Sequence, residues 1–262
     1  MSLKRVINKK VIGLLQGFSS QGEAARKSVD GITDSATSIA GQRERPTRSF
    51  EDFFAHLKRL GFSPKVCIDV GAAKGTISIY RAFPDALHIA FEPLPDFQDE
   101  LRETLGPYAH EIKNCALSNE PGQTTLLRHN DLFGSSIMHS RDAHDENVVT
   151  IRQSTLDMEL TDFELSGPVI LKTDCQGSDL LVLQGGIETL AQCDVVIVEA
   201  SLFRFWGPHQ PDFFDIVTFM HDQGFALYDI LDGLYRPRDA ALGQVDLVFA
   251  KERSSLRRDH YW

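Results

Sequence analysis

The run Val66-Cys67-Ile68-Asp69-Val70-Gly71-Ala72-Ala73-Lys74-Gly75-Thr76 constrains the fold most, because an apolar strand here ends in an acid and turns through glycines toward a helix. Without a Cβ, the backbone at Gly71 and Gly75 lets a ligand come close. A second apolar run, Ile89-Ala90-Phe91, ends in Glu92-Pro93, and Glu92 follows Asp69 by twenty-three positions. At about that spacing an acid at the end of the second strand is placed to accept both hydroxyls of a ribose. The two segments read as strands whose ends hold a nucleoside.

Two classes of cofactor use that geometry. A dinucleotide fingerprint needs G-x-G-x-x-G so that a pyrophosphate can sit on the helix N-terminus, and this loop has Ala73 where the second glycine would stand. S-adenosylmethionine has a ribose and an adenine but no phosphate, and an acid before the glycines, here Asp69, suits its ammonium group. The loop favours the methyl donor over a nicotinamide and leaves both open.

With 262 residues the chain has enough length for one α/β domain with a sizeable core and a short appendage. A net charge of −10 disfavours a general nucleic-acid binder, whose surface must neutralise phosphates. Cys67, Cys115, Cys175 and Cys193 have no zinc-ligand spacing and read as small buried hydrophobes, which implies a reduced, cytoplasmic setting. No eighteen-residue apolar stretch offers a membrane span, and the N-terminus has no secretory-signal pattern.

Residues 1–48 differ from the rest. Lys4, Arg5, Lys9 and Lys10 interleave with Leu3, Val6, Ile7, Val11, Ile12, Leu14, Leu15 and Phe18 at near-helical spacing, which predicts a basic amphipathic helix. Such a helix packs on its own domain or a sister subunit, or rests on an anionic membrane surface as a peripheral contact. From Ser19 to Arg48 the composition is that of a flexible linker. The main domain is expected over 49–252, with 253–262 as a tail. It opens with a helix capped by Ser49 and stopped at Gly61.

Strands are predicted near 66–70, 87–92 and 111–116, alternating with helices near 75–83 and 95–105, a pattern that implies a parallel sheet covered by helices. Residues 119–160 interrupt it with two short strands, around 123–128 and 148–151, and read as an insertion. Val169-Ile170-Leu171-Lys172-Thr173-Asp174 and Asp194-Val195-Val196-Ile197-Val198-Glu199 restore buried strands. A helix over 211–222 and strands over 225–230 and 245–250 follow, the last two as a hairpin around Asp232-Gly233 and the Pro237 loop.

Polar residues recur at five successive strand ends: Asp69, Glu92, Ala116-Leu117-Ser118, Lys172-Thr173-Asp174 and Glu199. Together with Ser135-Ser136, Thr155-Leu156-Asp157, Cys175-Gln176-Gly177-Ser178-Asp179 and Val182-Leu183-Gln184-Gly185-Gly186, they make the chain resemble the FkbM-type S-adenosylmethionine-dependent methyltransferases from residue 66 to about 250. The resemblance implies an α/β, Rossmann-like, seven-stranded class I methyltransferase sheet with helices on both faces and a short β insertion. It also implies methylation of a hydroxyl, often on a sugar, glycolipid or natural product. The family's fourth-strand motif usually reads K-x-D-x-E-G-x-E, and here Gln176 and Asp179 stand at the glutamate places.

Methyl transfer to an alcohol needs alignment and a base that takes the proton as the bond forms. Asp174 is the first candidate for base or acceptor orienter, with Lys172 holding it ionised or stabilising oxyanion charge, and Glu199 is the second carboxylate. His139 and His209 are further candidates because histidine titrates near neutrality. The aromatic loop 203–209 suits an acceptor-binding lid. On the donor side Asp69, Gly71, Ala73, Gly75 and Thr76 are expected at the methionine end, Glu92 at the ribose, and Ala116 and Leu117 at the adenine, with Asp174 alongside. Magnesium between Asp174 and Glu199 is conceivable, but the sequence does not demand a metal. A nicotinamide-dependent oxidoreductase and a non-catalytic binding protein that kept the fold are the competing readings.

Overall fold

The computed structural model describes residues 47–130, 132–138 and 146–261. The basic helix expected near the N-terminus, nearly all of the linker, and His139 lie outside the described residues. In chain order the elements are α1 (Phe50–Arg59), β1 (Val66–Val70), α2 (Ile77–Ala82), β2 (Leu87–Phe91), α3 (Pro95–Leu105), β3 (His110–Lys113), β4 (Ala116–Leu117), β5 (Gly122–Leu127) and β6 (Val148–Ser154). They continue as α4 (Leu156–Leu160), β7 (Val169–Thr173), α5 (Asp179–Gln184), α6 (Ile187–Leu190), β8 (Val195–Ser201), α7 (Phe213–Asp222), β9 (Phe225–Tyr235) and β10 (Leu242–Lys251).

Seven strands form one sheet in the order β3-β2-β1-β7-β8-β10-β9. All neighbours are parallel except β10, which runs antiparallel to both β8 and β9. Every residue of β1, β7 and β8 is buried, the consequence of helices covering both faces. On one face Phe53, Phe54 and Leu57 of α1 pack with Ile79, Tyr80, Leu101 and Leu105 of α2 and α3. On the other, Leu156, Val182, Leu183, Leu190, Ile216 and Met220 of α4 to α7 cover Ile68, Leu171 and Val198. The expected α/β sheet with helices on both faces is therefore present.

Two expectations change. The strand foreseen near 111–116 is two strands: β3 closes the main sheet as a largely exposed edge, and β4 leaves it for a separate three-stranded sheet, β4-β6-β5. Pairing of Ala116 and Leu117 with Gln153 and Ser154 draws the chain away. Of the two places expected for the hairpin reversal, the Pro237 loop holds it and Asp232-Gly233 does not. Those residues lie inside β9 at a register shift, with Asp232 at φ +31°, and the chain reverses beyond Tyr235. Arg48 is pinned: its carbonyl accepts from Asp232 N (3.0 Å) and its guanidinium meets Asp229 at 2.6 Å, so the linker ends on β9.

Candidate active site

Strand order reverses between β1 and β7, so the loops that leave these strands diverge and open a crevice at their carboxyl ends. The loops are tied at their roots. Asp174 N donates to Val70 O and Gly71 N to Phe91 O, both at 3.0 Å. Gly71 has φ +73°, and a Cβ there would lie 2.1 Å from Asp174 O, so only glycine fits where the two loops touch.

The crevice is a narrow cleft of about 590 Å³ counted to its open mouth. Its lining includes Gly71, Ala73, Glu92, Ala116, Leu117 and Asp174, six of the residues expected at the site, together with Cys175, Gln176 and Ser136. Phe97 packs against Phe133 at 5.3 Å between ring centroids, so the 132–138 loop of the insertion roofs the cleft. Ser136 Oγ fastens that roof by donating to Gln176 O at 2.7 Å. Sequence reasoning assigned no role to Leu94, Phe97 or Phe133. The only available signal for the roof was the Ser135-Ser136 segment of the family resemblance.

Glu92 is buried at the end of β2. Its Oε2 accepts from Ala73 N and its Oε1 from Leu94 N, both at 2.8 Å. Burial pushes its carboxyl up to about 7, although the two backbone donors pull the other way. Each oxygen keeps a lone pair for a further donor.

Asp69, Gly75 and Thr76 are not in the cleft lining. Asp69 alternates with Val70 and faces the α2 side, where it accepts from Thr76 N (3.2 Å), Thr76 Oγ1 (3.0 Å) and the Tyr80 hydroxyl (2.5 Å). This carboxylate holds the loop in shape. Gly75 packs toward Tyr80, Thr104 and Leu101. The spacing of Thr76 and Tyr80 from Asp69 is visible in the sequence, but the face of the sheet that Asp69 takes is not.

Lys172 is buried with its Nζ 3.7 Å from Asp69 Oδ1 and 3.4 Å from Asp174 Oδ2, so one cation serves both loops. Asp174 Oδ1 accepts from Gln176 Nε2 at 3.0 Å, and the same nitrogen reaches Glu199 Oε2 at 3.1 Å. Glu199 therefore joins the site through Gln176 and does not line the cleft. Asp179 is fully buried, and burial followed by the like charge of Asp174 raises its carboxyl to about 6. It accepts from Cys175 N at 3.0 Å, so it caps the turn before α5.

His209 is apart from this group. It lines a second, more open groove with Leu180, Arg204 and Phe214 between α5 and α7. The 203–206 segment before it closes over the strand ends: a Cβ on Gly177 would meet Trp206 at 2.7 Å, and Arg236 stacks 4.0 Å from the Phe203 ring. Among the described residues no group of three or more His, Cys, Asp or Glu side chains is arranged to hold a metal, and no helix is long and apolar enough to cross a membrane.

No curated protein matches the sequence. Among solved structures the chain is similar to magnesium protoporphyrin IX methyltransferase from Synechocystis PCC 6803 with bound SAM, at 11% identity and TM-score 0.44 over 95% of this chain and 92% of that one. It is also similar to ribosomal protein L11 methylase from Lactobacillus delbrueckii subsp. bulgaricus, at 11% identity and TM-score 0.40 over 77% and 76%. Residues 69–227 match the model of the methyltransferase FkbM domain. That span runs from the end of β1 into β9 and takes in well over half of the sequence, so the chain belongs to the FkbM methyltransferase family.

Proposed function

We propose that the chain is an S-adenosylmethionine-dependent O-methyltransferase whose acceptor is a hydroxyl on a sugar, glycolipid or secondary metabolite. Glu92 carries the donor half: a buried carboxylate, held by two backbone N–H groups, lines a cleft walled largely by apolar side chains. That set of groups suits a nucleoside without phosphate. Glu92 would hold the ribose hydroxyls, Ala116 and Leu117 the adenine, and Gly71 and Ala73 the methionine end. Among the described lining residues there is no lysine or arginine, and the Ala73 N–H already serves Glu92. Both facts speak against a pyrophosphate and hence against the nicotinamide alternative.

When bound, S-adenosylmethionine supplies a methyl carbon activated by its sulfonium. The protein's own part is alignment and proton removal. Asp174 receives the hydroxyl proton while the acceptor oxygen bonds to carbon, because an alcohol is too weak an acid to lose it beforehand. Lys172 keeps Asp174 ionised, and Gln176 fixes its other oxygen. Phe203 and Trp206 offer aromatic faces of the kind that stack on sugars and flat acceptors. His209, on the second groove, has no part in this reading. The four free cysteines are in keeping with a cytoplasmic setting.

Titration calorimetry with S-adenosylhomocysteine tests the donor half and should give one site per chain. Asp174→Asn should keep that affinity within a few-fold while turnover of a hydroxylated acceptor falls roughly 10²- to 10⁴-fold, the usual contribution of a general base. Absence of binding, or undiminished turnover in Asp174→Asn, would remove the proposal.

A further inference from the structure

The turn that follows β7 has two successive residues in the left-handed region, Gln176 at φ +50° and Gly177 at φ +96°. Glycine takes that backbone freely, whereas a residue with a Cβ keeps it only where its surroundings hold it there. Part of the hold on Gln176 comes from the insertion. Ser136 Oγ, forty positions earlier in the chain, donates to Gln176 O at 2.7 Å. Ser136 is buried, its Oγ accepts from Met138 N at 3.0 Å, and its backbone exchanges both hydrogen bonds with Leu127 at the end of β5, at 3.0 and 3.2 Å. Phe133, in the same segment, lines the cleft and packs on Phe97. On the other side of the bond, the Gln176 amide donates to Asp174 Oδ1 at 3.0 Å. One hydroxyl therefore stands between the roof of the cleft and the turn that carries Asp174.

We propose that Ser136 is a positioning residue: through the Gln176 carbonyl it latches the roof over the methyl donor and holds the 174–178 turn in the form that keeps the Gln176 amide on Asp174. The inference rests on the reading of the cleft as the donor site. Replacing the hydroxyl by hydrogen changes almost no packing but takes this donor away from the Gln176 carbonyl. The roof edge is then no longer bonded to the turn, and the Gln176 peptide is free to relax toward negative φ. Rotation of that peptide redirects its Cβ and swings the side-chain amide away from Asp174. The donor passes the roof edge both ways, but entry already needs an open roof, so loss of the latch is read mainly as faster release.

Ser136→Ala in the full chain tests both parts without an acceptor. In the ligand-free protein, water exchange of the Gln176 side-chain amide protons, assigned by nuclear magnetic resonance from their loss in Gln176→Met, should be roughly ten-fold faster in Ser136→Ala than in wild type, the factor expected for one lost hydrogen bond. Ser49→Ala controls for general loosening, because it removes the cap of α1, where Ser49 Oγ accepts from Asp52 N at 3.1 Å, and touches neither roof nor turn. There the exchange should stay at the wild-type rate. Release of S-adenosylhomocysteine should also be roughly ten-fold faster in Ser136→Ala, with the association rate little changed. Unaltered Gln176 exchange in Ser136→Ala, an equal acceleration in Ser49→Ala, or unaltered release overturns the proposal. If Ser136→Ala does not fold, wild type supplies the measurement: saturating S-adenosylhomocysteine should slow the Gln176 amide exchange several-fold by seating the roof, and an unchanged rate overturns the inference. If wild type binds no S-adenosylhomocysteine, the donor reading fails, while the ligand-free exchange still tests the tie between Ser136 and Gln176.

Discussion

At the scale of single residues, the role proposed for Glu92 ties donor binding to pH. The ionised carboxylate can accept two hydroxyl hydrogens beyond its two backbone donors, and protonation near 7 takes away one acceptor site. Affinity for S-adenosylhomocysteine should therefore weaken by up to about tenfold for each pH unit below 7. In Glu92→Ala the affinity should fall roughly 10- to 100-fold at pH 8, given about 1.5–3 kcal/mol for a hydrogen bond to a charged group, and the dependence on pH should flatten. Calorimetry between pH 5.5 and 8.5 checks both. The place of Glu92 in the cleft was legible because it stands at a strand end. Gln176 was legible only as a neutral replacement, since its second partner is twenty-three residues away and is brought to it by the β7–β8 pairing.

Among the elements, the short helices after β7 depend on a contact that the sequence does not display. Asp157 lies at the start of α4, yet its carboxylate accepts from Glu188 N (3.0 Å), Thr189 N (2.8 Å) and Thr189 Oγ1 (2.7 Å), capping α6 across thirty-two positions. Asp157→Ala should lower stability by about 2–4 kcal/mol, the sum of a lost cap and an orphaned buried hydroxyl, with donor affinity little changed. Chemical denaturation measures it. Continuous apolar runs such as β7 and β8 were readable because burial on both faces leaves that imprint. The split between β3 and β4 was not, because no glycine or proline marks Lys113-Asn114-Cys115 and the break is imposed by pairing with β6. Of the expected hairpin, the Pro237 loop makes the reversal and Asp232-Gly233 does not, for a related reason. A bulge uses the same residue types as a tight turn, and here the strand continues through it.

Across the whole molecule, buried titratable groups give opposite signs of pH dependence. Glu92 is raised from 4.5 to about 7 and Asp179 from 3.8 to about 6, so the folded chain holds more protons than the unfolded one through those windows. Their stabilisation is complete below the unfolded values and is lost as pH rises through the folded ones. Burial lowers His56 and His88 instead, which costs stability below about 6.5, where an unfolded histidine takes up a proton. The donor-free melting temperature should therefore rise as pH falls from 8 to 6.5, and the extra protection given by S-adenosylhomocysteine should shrink over the same range. Scanning calorimetry with and without the ligand would contradict this if both curves were flat.

The contact between Gly71 and the Asp174 carbonyl has a mechanical consequence. With no room for even one methyl group between them, the two halves of the sheet meet at a joint without play. On the proposed roles, an adjustment that the methyl donor makes in the first turn would displace Asp174 as well, and loading the enzyme and aiming it would be one motion.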